Sequence, residues 1–211
     1  MNTTPITHDV PGLRFFGRVT AAVTHDIKNS LATINENAGL LTDLAAMAAR
    51  GKPLDPERVN ALALRIMDQV KRADGLLKSM NRFAHSVDDT IKKVDLNESL
   101  QLLADLSVRQ AAMCGATLVV QPSPTPVEVE TSPFGLLNAL FACLEVAMTV
   151  AGRGSSIDLR PEKTGAGACV HFGPLPAVAI PDPDPGLAAS IGARLINDTG
   201  SKTLTLIFAN R

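Results

Sequence analysis

"VTHDIKNSLATINE" occupies residues 23–36, and its periodicity sets the reading of the N-terminal part of the chain. Val23, Ile27, Ser30 and Ile34 recur at alternating spacings of four and three, and the pattern continues through Ala38, Leu41, Ala45 and Ala48. Such a repeat marks a helix packed in a left-handed coiled coil or bundle. Leu31, Leu40 and Leu44 widen the stripe on one side. The expected helix covers residues 13–50, after a loose N-terminus at 1–12.

A second repeat runs through Val59, Ala63, Ile66, Val70, Ala73, Leu77, Met80, Ala84 and Val87, widened by Leu62, Leu76 and Phe83. "RGKPLDPER" (50–58) is a turn between them. Gly51 can close the first helix, and Asp55 with Pro56 can cap and start the second. That second helix is expected over 56–86, with "VDDTIKK" (87–93) as a charged linker. At about 1.5 Å per residue each helix is roughly 45–55 Å long. A lone hairpin of this kind leaves apolar surface in water. Pairing two hairpins (residues 13–87 of each chain) into a four-helix bundle covers it, which predicts a homodimer. The other possible cover is the remainder of the same chain.

Composition narrows the function classes. The 211 residues are 45% hydrophobic and only 3% aromatic, with no Trp or Tyr, and the net charge is −1. The chain is globular, and neither base stacking nor a basic patch equips it for nucleic acid or an anionic membrane surface. Cys114, Cys143 and Cys169 form no Cys-x-x-Cys pair, so they read as small buried hydrophobes in a reducing compartment, with no zinc site expected. No run approaches the roughly 20 apolar residues of a bilayer span, and the expectation is a cytoplasmic protein without a membrane partner.

Residues 95–211 read as an α+β domain. "DLNESLQLLADLSVRQAAMCG" (95–115) is a helix with Asp95 or Asn97 near its start. "ATLVVQ" (116–121) and "PVEVE" (126–130) are short strands. "SPFGLLNALFACLEVAMTVAG" (132–152) is a helix with Ser132 as N-cap and Pro133 at the first position. "SSIDLRP" and "GACVHFG" form a strand pair, "PLPAVAIPDPDP" (174–185) is irregular because of its prolines, "GLAASIGARLINDTG" (186–200) reads as a last helix, and "KTLTLIF" (202–208) as a last strand.

His25 lies roughly 200° round the first helix from both Val23 and Ile27, so it points away from the stripe. Asn29 at i+4 and Lys28 at i+3 share its side. Ala22 and Ala32 are small enough to let a partner protein approach closely. Asp26 adjoins the ring and can accept a hydrogen bond from it. An unperturbed imidazole is largely neutral at pH 7 and can attack phosphorus, while Asn29 can place a water for the reverse hydrolysis. The alternative is a solvated surface histidine. His8 in the loose N-terminus, His85 near the second helix's end and His171 at a strand edge show no carboxylate at helical spacing.

"THDIKNSLATI" resembles the phospho-acceptor box of two-component histidine kinases, in which a histidine, an adjacent acid and an Asn or Thr open the first helix of a dimeric hairpin. "MNRFAHS" followed by "VDLNESL" is similar to the passage from the second helix into the ATP-binding domain. The resemblance implies that His25 carries a phosphoryl group, that Asp26 is the adjacent acid/base, and that Asn29 supports dephosphorylation of the partner. It implies response-regulator receiver domains as partners, docked around Ala22, Lys28 and Ala32.

Three departures set this chain apart from an active kinase. In "LFACLEVAM", Ala142 and Val146 stand where the family has polar ligands for Mg²⁺ and nucleotide, with only Glu145 retained. "VHFGPLP" puts His171 and Leu175 in place of the aspartate and second glycine of the adenine-reading loop. "PDPDPGLAAS" offers Gly186 alone where a glycine-rich turn holds phosphates. Fixed oxygen ligands and converging backbone N–H groups are both lost. The resemblance therefore points to kinase-like histidine phosphotransferases, with a long helical hairpin and a degenerate ATPase-like domain of α/β sandwich form. His25 would exchange phosphate with receivers through a relay that needs no ATP, Mg²⁺ or other cofactor. A divergent ATP-dependent autokinase and a non-catalytic dimeric scaffold for receivers are the alternatives.

Overall fold

The computed structural model describes residues 10–176, 185–198, 200 and 202–209. It is a mixed α+β chain with a helical N-terminal region and a sheet-containing C-terminal region. Two compact units divide it: Thr20–Asn81, and the segments that precede and follow that stretch. His8 lies outside the described residues.

In the first unit, helix α1 (Val10–Ala49) ends at Gly51, whose φ of 81° lets its N–H reach the Ala48 carbonyl at 2.9 Å. Helix α2 (Pro56–Ala84) starts on the expected cap: the Asp55 carboxylate accepts from the N–H groups of Glu57 and Arg58. The apolar repeats are real, but the buried line is narrower than expected. Val23, Asp26, Ser30, Asn37 and Leu44 are buried on α1, and Leu62, Ala73 and Ser79 on α2. Val70 and Leu77, both in the expected stripe, are 51% and 55% exposed. Each helix carries enough apolar residues for two adjoining faces, and the hairpin uses only one of them.

In the second unit, five of the seven phenylalanines gather. Phe15 meets Phe83, Phe134 and Phe141 at centroid distances of 5.1–5.5 Å, and Phe16 stacks on Phe83 at 5.3 Å. This aromatic cluster joins the start of α1 and the end of α2 to helix α4 (Pro133–Ala151). α2 tightens into a short 3₁₀ turn, His85–Val87, before strand β1 (Lys92–Asp95). That strand falls where a linker was expected, because it is made by pairing with β3 (Glu128–Thr131) and has no apolar run of its own.

Helices α3 (Leu96–Cys114) and α4 begin on Asp95 and Ser132, each accepting from a backbone N–H of the first turn, as their capping residues predict. Leu100, Leu103, Leu136, Leu140 and Leu144 are buried between these helices and a five-stranded sheet. The sheet holds β2 (Thr117–Val120), β4 (Ser156–Thr164), β5 (Gly167–Gly173), β7 (Thr203–Ala209) and β6 (Ala193–Asp198) in that order. β2 runs parallel to β4, and the other pairs are antiparallel. α4 is apolar and long enough to cross a bilayer by length and composition, contrary to the reading that no such run exists. Its leucines are spent on the domain core.

The last expected helix is a second correction. Helix α5 (Pro185–Ser190) is a single short piece, and β6 follows it. Gly192 at φ 71° turns the chain, and "ARLIND" then pairs with β7. Its side chains satisfy a helical or an extended pattern equally, so the neighbouring strand decides. The expected irregular stretch at 174–185 falls largely outside the described residues.

Candidate functional site

α1 presents His25 as its periodicity requires. The imidazole side chain is 48% exposed, while that of Asp26, one residue on, is 10% exposed. Asn29 and Asp26 approach the same ring nitrogen. His25 Nδ1 stands 3.1 Å from Asn29 Nδ2 across one helical turn and 3.5 Å from Asp26 Oδ1. An amide presenting its NH₂ donates to an Nδ1 lone pair; turned about, its oxygen accepts from Nδ1–H. In the second arrangement Asp26 also faces the N–H, and the lone pair belongs to Nε2 on the far side of the ring. Two residues thus hold the ring orientation, and the Asp26 carboxylate favours the Nδ1–H tautomer.

Thr33 supports this turn by donating its hydroxyl to the Asn29 carbonyl at 3.1 Å. Sequence reading did not single it out, and its only signal was the i+4 spacing. Lys28 and Ala32 are exposed near His25, and Ala22 is half-buried one turn earlier. The structure therefore brings His25, Asp26 and Asn29 together on one helical turn and leaves Lys28 and Ala32 on the accessible surface.

The described residues of the segments that depart from the kinase pattern make the following contacts. Ala142 and Val146 are half-buried on α4. Glu145 is engaged by Arg18 and by Gln110, whose Nε2 donates at 2.7 Å. Arg18 also lies 5.0 Å above the Phe141 ring. Leu175 is buried, and its N–H donates to the Lys202 carbonyl at 2.7 Å. Ala188 and Ile191 are buried too, and Ile191 sits so close to α4 that a Cβ on Gly135 would stand 2.8 Å from its Cγ2.

His85 overturns the expectation of no carboxylate at helical spacing, and His171 meets a carboxylate from a neighbouring strand. His85 Nδ1 pairs with Asp88 Oδ2 at 2.7 Å, exposed at the end of the helical region. His171 Nε2 pairs with Glu162 Oε2 at 3.0 Å, and its strand β5 is central in the sheet, not an edge. Cys169 joins them, with Sγ 3.2 Å from His171 Nε2. Burial pushes the Cys169 thiol up, the Glu162 charge adds to this, and Arg160 opposes it. The sequence signal is Cys-x-His in a strand, a spacing distinct from the Cys-x-x-Cys of common zinc sites.

No known family profile and no curated protein matches the chain. Among solved structures it is similar to the histidine kinase AdeS of Acinetobacter baumannii, at 11% identity over 88% of this chain and 97% of that one, with a TM-score of 0.47. The cytoplasmic segment of the histidine kinase QseC is similar at 14% identity over 67% of this chain and 95% of that one, TM-score 0.45. A bacterial phosphotransferase solved at 1.7 Å is similar at 13% identity over 90% of this chain and 94% of that one, TM-score 0.45. These neighbours are histidine kinases and a phosphotransferase. At such identities and scores the likeness assigns no activity, and the residues must carry the functional argument.

Proposed function

We propose that the chain is a two-component phosphotransferase in which His25 exchanges a phosphoryl group with the aspartate of response-regulator receiver domains. The observation that carries this reading is the hold of Asn29 and Asp26 on His25 Nδ1, at the surface of a long helix. With Nδ1 protonated, the Nε2 lone pair attacks phosphorus of a receiver acyl phosphate. The new bond is N–P, the broken one is the P–O bond to the aspartate, and the receiver carboxylate leaves. The ring becomes cationic, and Asp26 stabilises it through Nδ1–H. Asn29, exposed on the same side, serves the hydrolytic direction by orienting water.

Phosphate comes from another protein on this reading and not from ATP. Leu175 and Ala188, in segments where the resemblance places nucleotide contacts, are buried, and Glu145 is committed to Arg18 and Gln110. The working unit is a cytoplasmic homodimer. Val70 and Leu77, with Leu31 of α1 (56% exposed), supply the apolar surface that a second hairpin covers. Receivers dock along α1 at Lys28 and Ala32.

The test is incubation of the full chain with a ³²P-labelled receiver. Acid-labile label appears on the wild-type chain and is absent from His25→Gln. Label arriving from ATP and Mg²⁺ without a receiver would establish the autokinase instead. Receiver binding without transfer would establish a scaffold.

A further inference from the structure

We propose that Glu162, Cys169 and His171 form a binding site for a divalent, zinc-like transition-metal ion on the sheet face opposite α3 and α4. Strand geometry brings these residues together. Cys169 and His171 are two apart on β5 and so project to one face, while Glu162 on β4 is the register partner of Cys169. The other face of the same strands carries Ile157, Leu159, Val170 and Phe172, all buried in the core. Donors from two adjacent central strands are held more rigidly than donors from loops.

The donor atoms are spaced for one ion. Sγ of Cys169 stands 3.2 Å from Nε2 of His171, that nitrogen 3.0 Å from Oε2 of Glu162, and all three lie within 4.8 Å of one another. Zinc bond lengths of about 2.0–2.3 Å separate neighbouring ligands of a tetrahedral ion by roughly 3.3–3.6 Å, so the two contacts of His171 Nε2 need shifts of only a few tenths of an ångström.

A second observation concerns the tautomer. His171 Nδ1 lies 3.0 Å from Oγ1 of Thr205, the partner of His171 on β7. A hydroxyl accepting from Nδ1–H places the Nε2 lone pair toward the thiol and the carboxylate, as the outer partners of metal-bound histidines do. Without an ion, Nε2 faces both Sγ and Oε2, and a single Nε2–H serves only one of them well. A cation serves all three donors at once.

Charge fits the same assignment. An ordinary cysteine thiol carries its proton at neutral pH until an ion displaces it. Binding therefore follows Cys169–SH + M²⁺ → Cys169–S–M⁺ + H⁺, with one proton released and no change of oxidation state. Arg160, the register partner of His171, faces the same side. Thiolate, carboxylate and guanidinium together leave one net negative charge to meet the ion. Sulfur and imidazole select a zinc-like ion over Mg²⁺ or Ca²⁺.

The experiment is titration of the reduced full chain with Co²⁺, followed by Zn²⁺. One equivalent of Co²⁺ per chain should release about one proton and give a thiolate-to-cobalt charge-transfer band in the near ultraviolet, which Zn²⁺ then displaces without further proton release. The band should survive Cys114→Ser and vanish in Cys169→Ser. Because Cys169 is buried, Glu162→Gln is the control on folding: its carboxylate is exposed, and loss of one ligand should raise the Co²⁺ Kd at least tenfold. Thr205→Val should raise it about tenfold through loss of the outer contact. Absence of the band in the wild-type chain, its persistence in Cys169→Ser, or an unchanged Kd in Glu162→Gln would each overturn the proposal.

Discussion

Asn29 reaches back one turn of α1 to meet His25 Nδ1 at 3.1 Å. The contact orients the ring without occupying Nε2, so its loss separates positioning from chemistry. Asn29→Ala is expected to slow receiver dephosphorylation by an order of magnitude or more, while transfer onto His25 falls only a few-fold. His25→Gln should abolish both. Single-turnover rates with a phosphorylated receiver read the difference.

Asp26 is buried beside His25, and its role is electrostatic. Asp26→Asn keeps the shape and removes the charge that stabilises a cationic ring. The expected loss is about 10²-fold in transfer rate, the lower end for a positioned acid or base. ¹⁵N chemical shifts of the His25 ring should show a smaller share of the Nδ1–H tautomer. An unchanged rate would remove Asp26 from the mechanism.

Gly135 and Ile191 make a tight contact where α5 packs on α4. Gly135→Ala adds a methyl 2.8 Å from Ile191 Cγ2 and should cost about 1–3 kcal/mol by overpacking. Ile191→Ala alone should cost about 2–5 kcal/mol through the cavity it leaves. The double variant should be more stable than the sum of the two predicts, since each change relieves the other. Denaturant midpoints measure all three. Added ATP and Mg²⁺ should move none of them.

Val70 and Leu77 test the dimer. Both are more than half exposed on the single chain, so Val70→Glu and Leu77→Glu leave the hairpin's own buried line intact. Together they should convert a dimer to a helical monomer. Light scattering at micromolar concentration reads the mass, and a dimer that survives both changes would put the interface elsewhere.

Cys169 sets a pH dependence. Its thiol titrates above the ordinary value in the folded chain and near about 8.5 when unfolded. A raised folded value means that the stability it reflects is complete below the unfolded value and is lost as pH rises toward the folded one. Tm of the metal-free chain should therefore fall from about pH 8.5 upward, more steeply in the wild type than in Cys169→Ala.

The sequence by itself determined the four long helices. Spacings of three and four, with Asp55, Asp95 and Ser132 as caps and Gly51 and Gly115 as stops, are local signals, and helix hydrogen bonds are local too. The same periodicity set His25, Lys28 and Asn29 on one side of α1. Other choices were left to the tertiary structure, because they depend on residues distant in the chain. Val70 and Leu62 are both large and apolar, and only tertiary packing decided that Leu62 is buried. "ARLIND" became a strand because β7 was there to pair with it, and "KKVD" because β3 was. The gathering of Glu162, Cys169, His171 and Thr205 follows from the registers of β4, β5 and β7, which cross-strand pairing fixes and no spacing along the chain records.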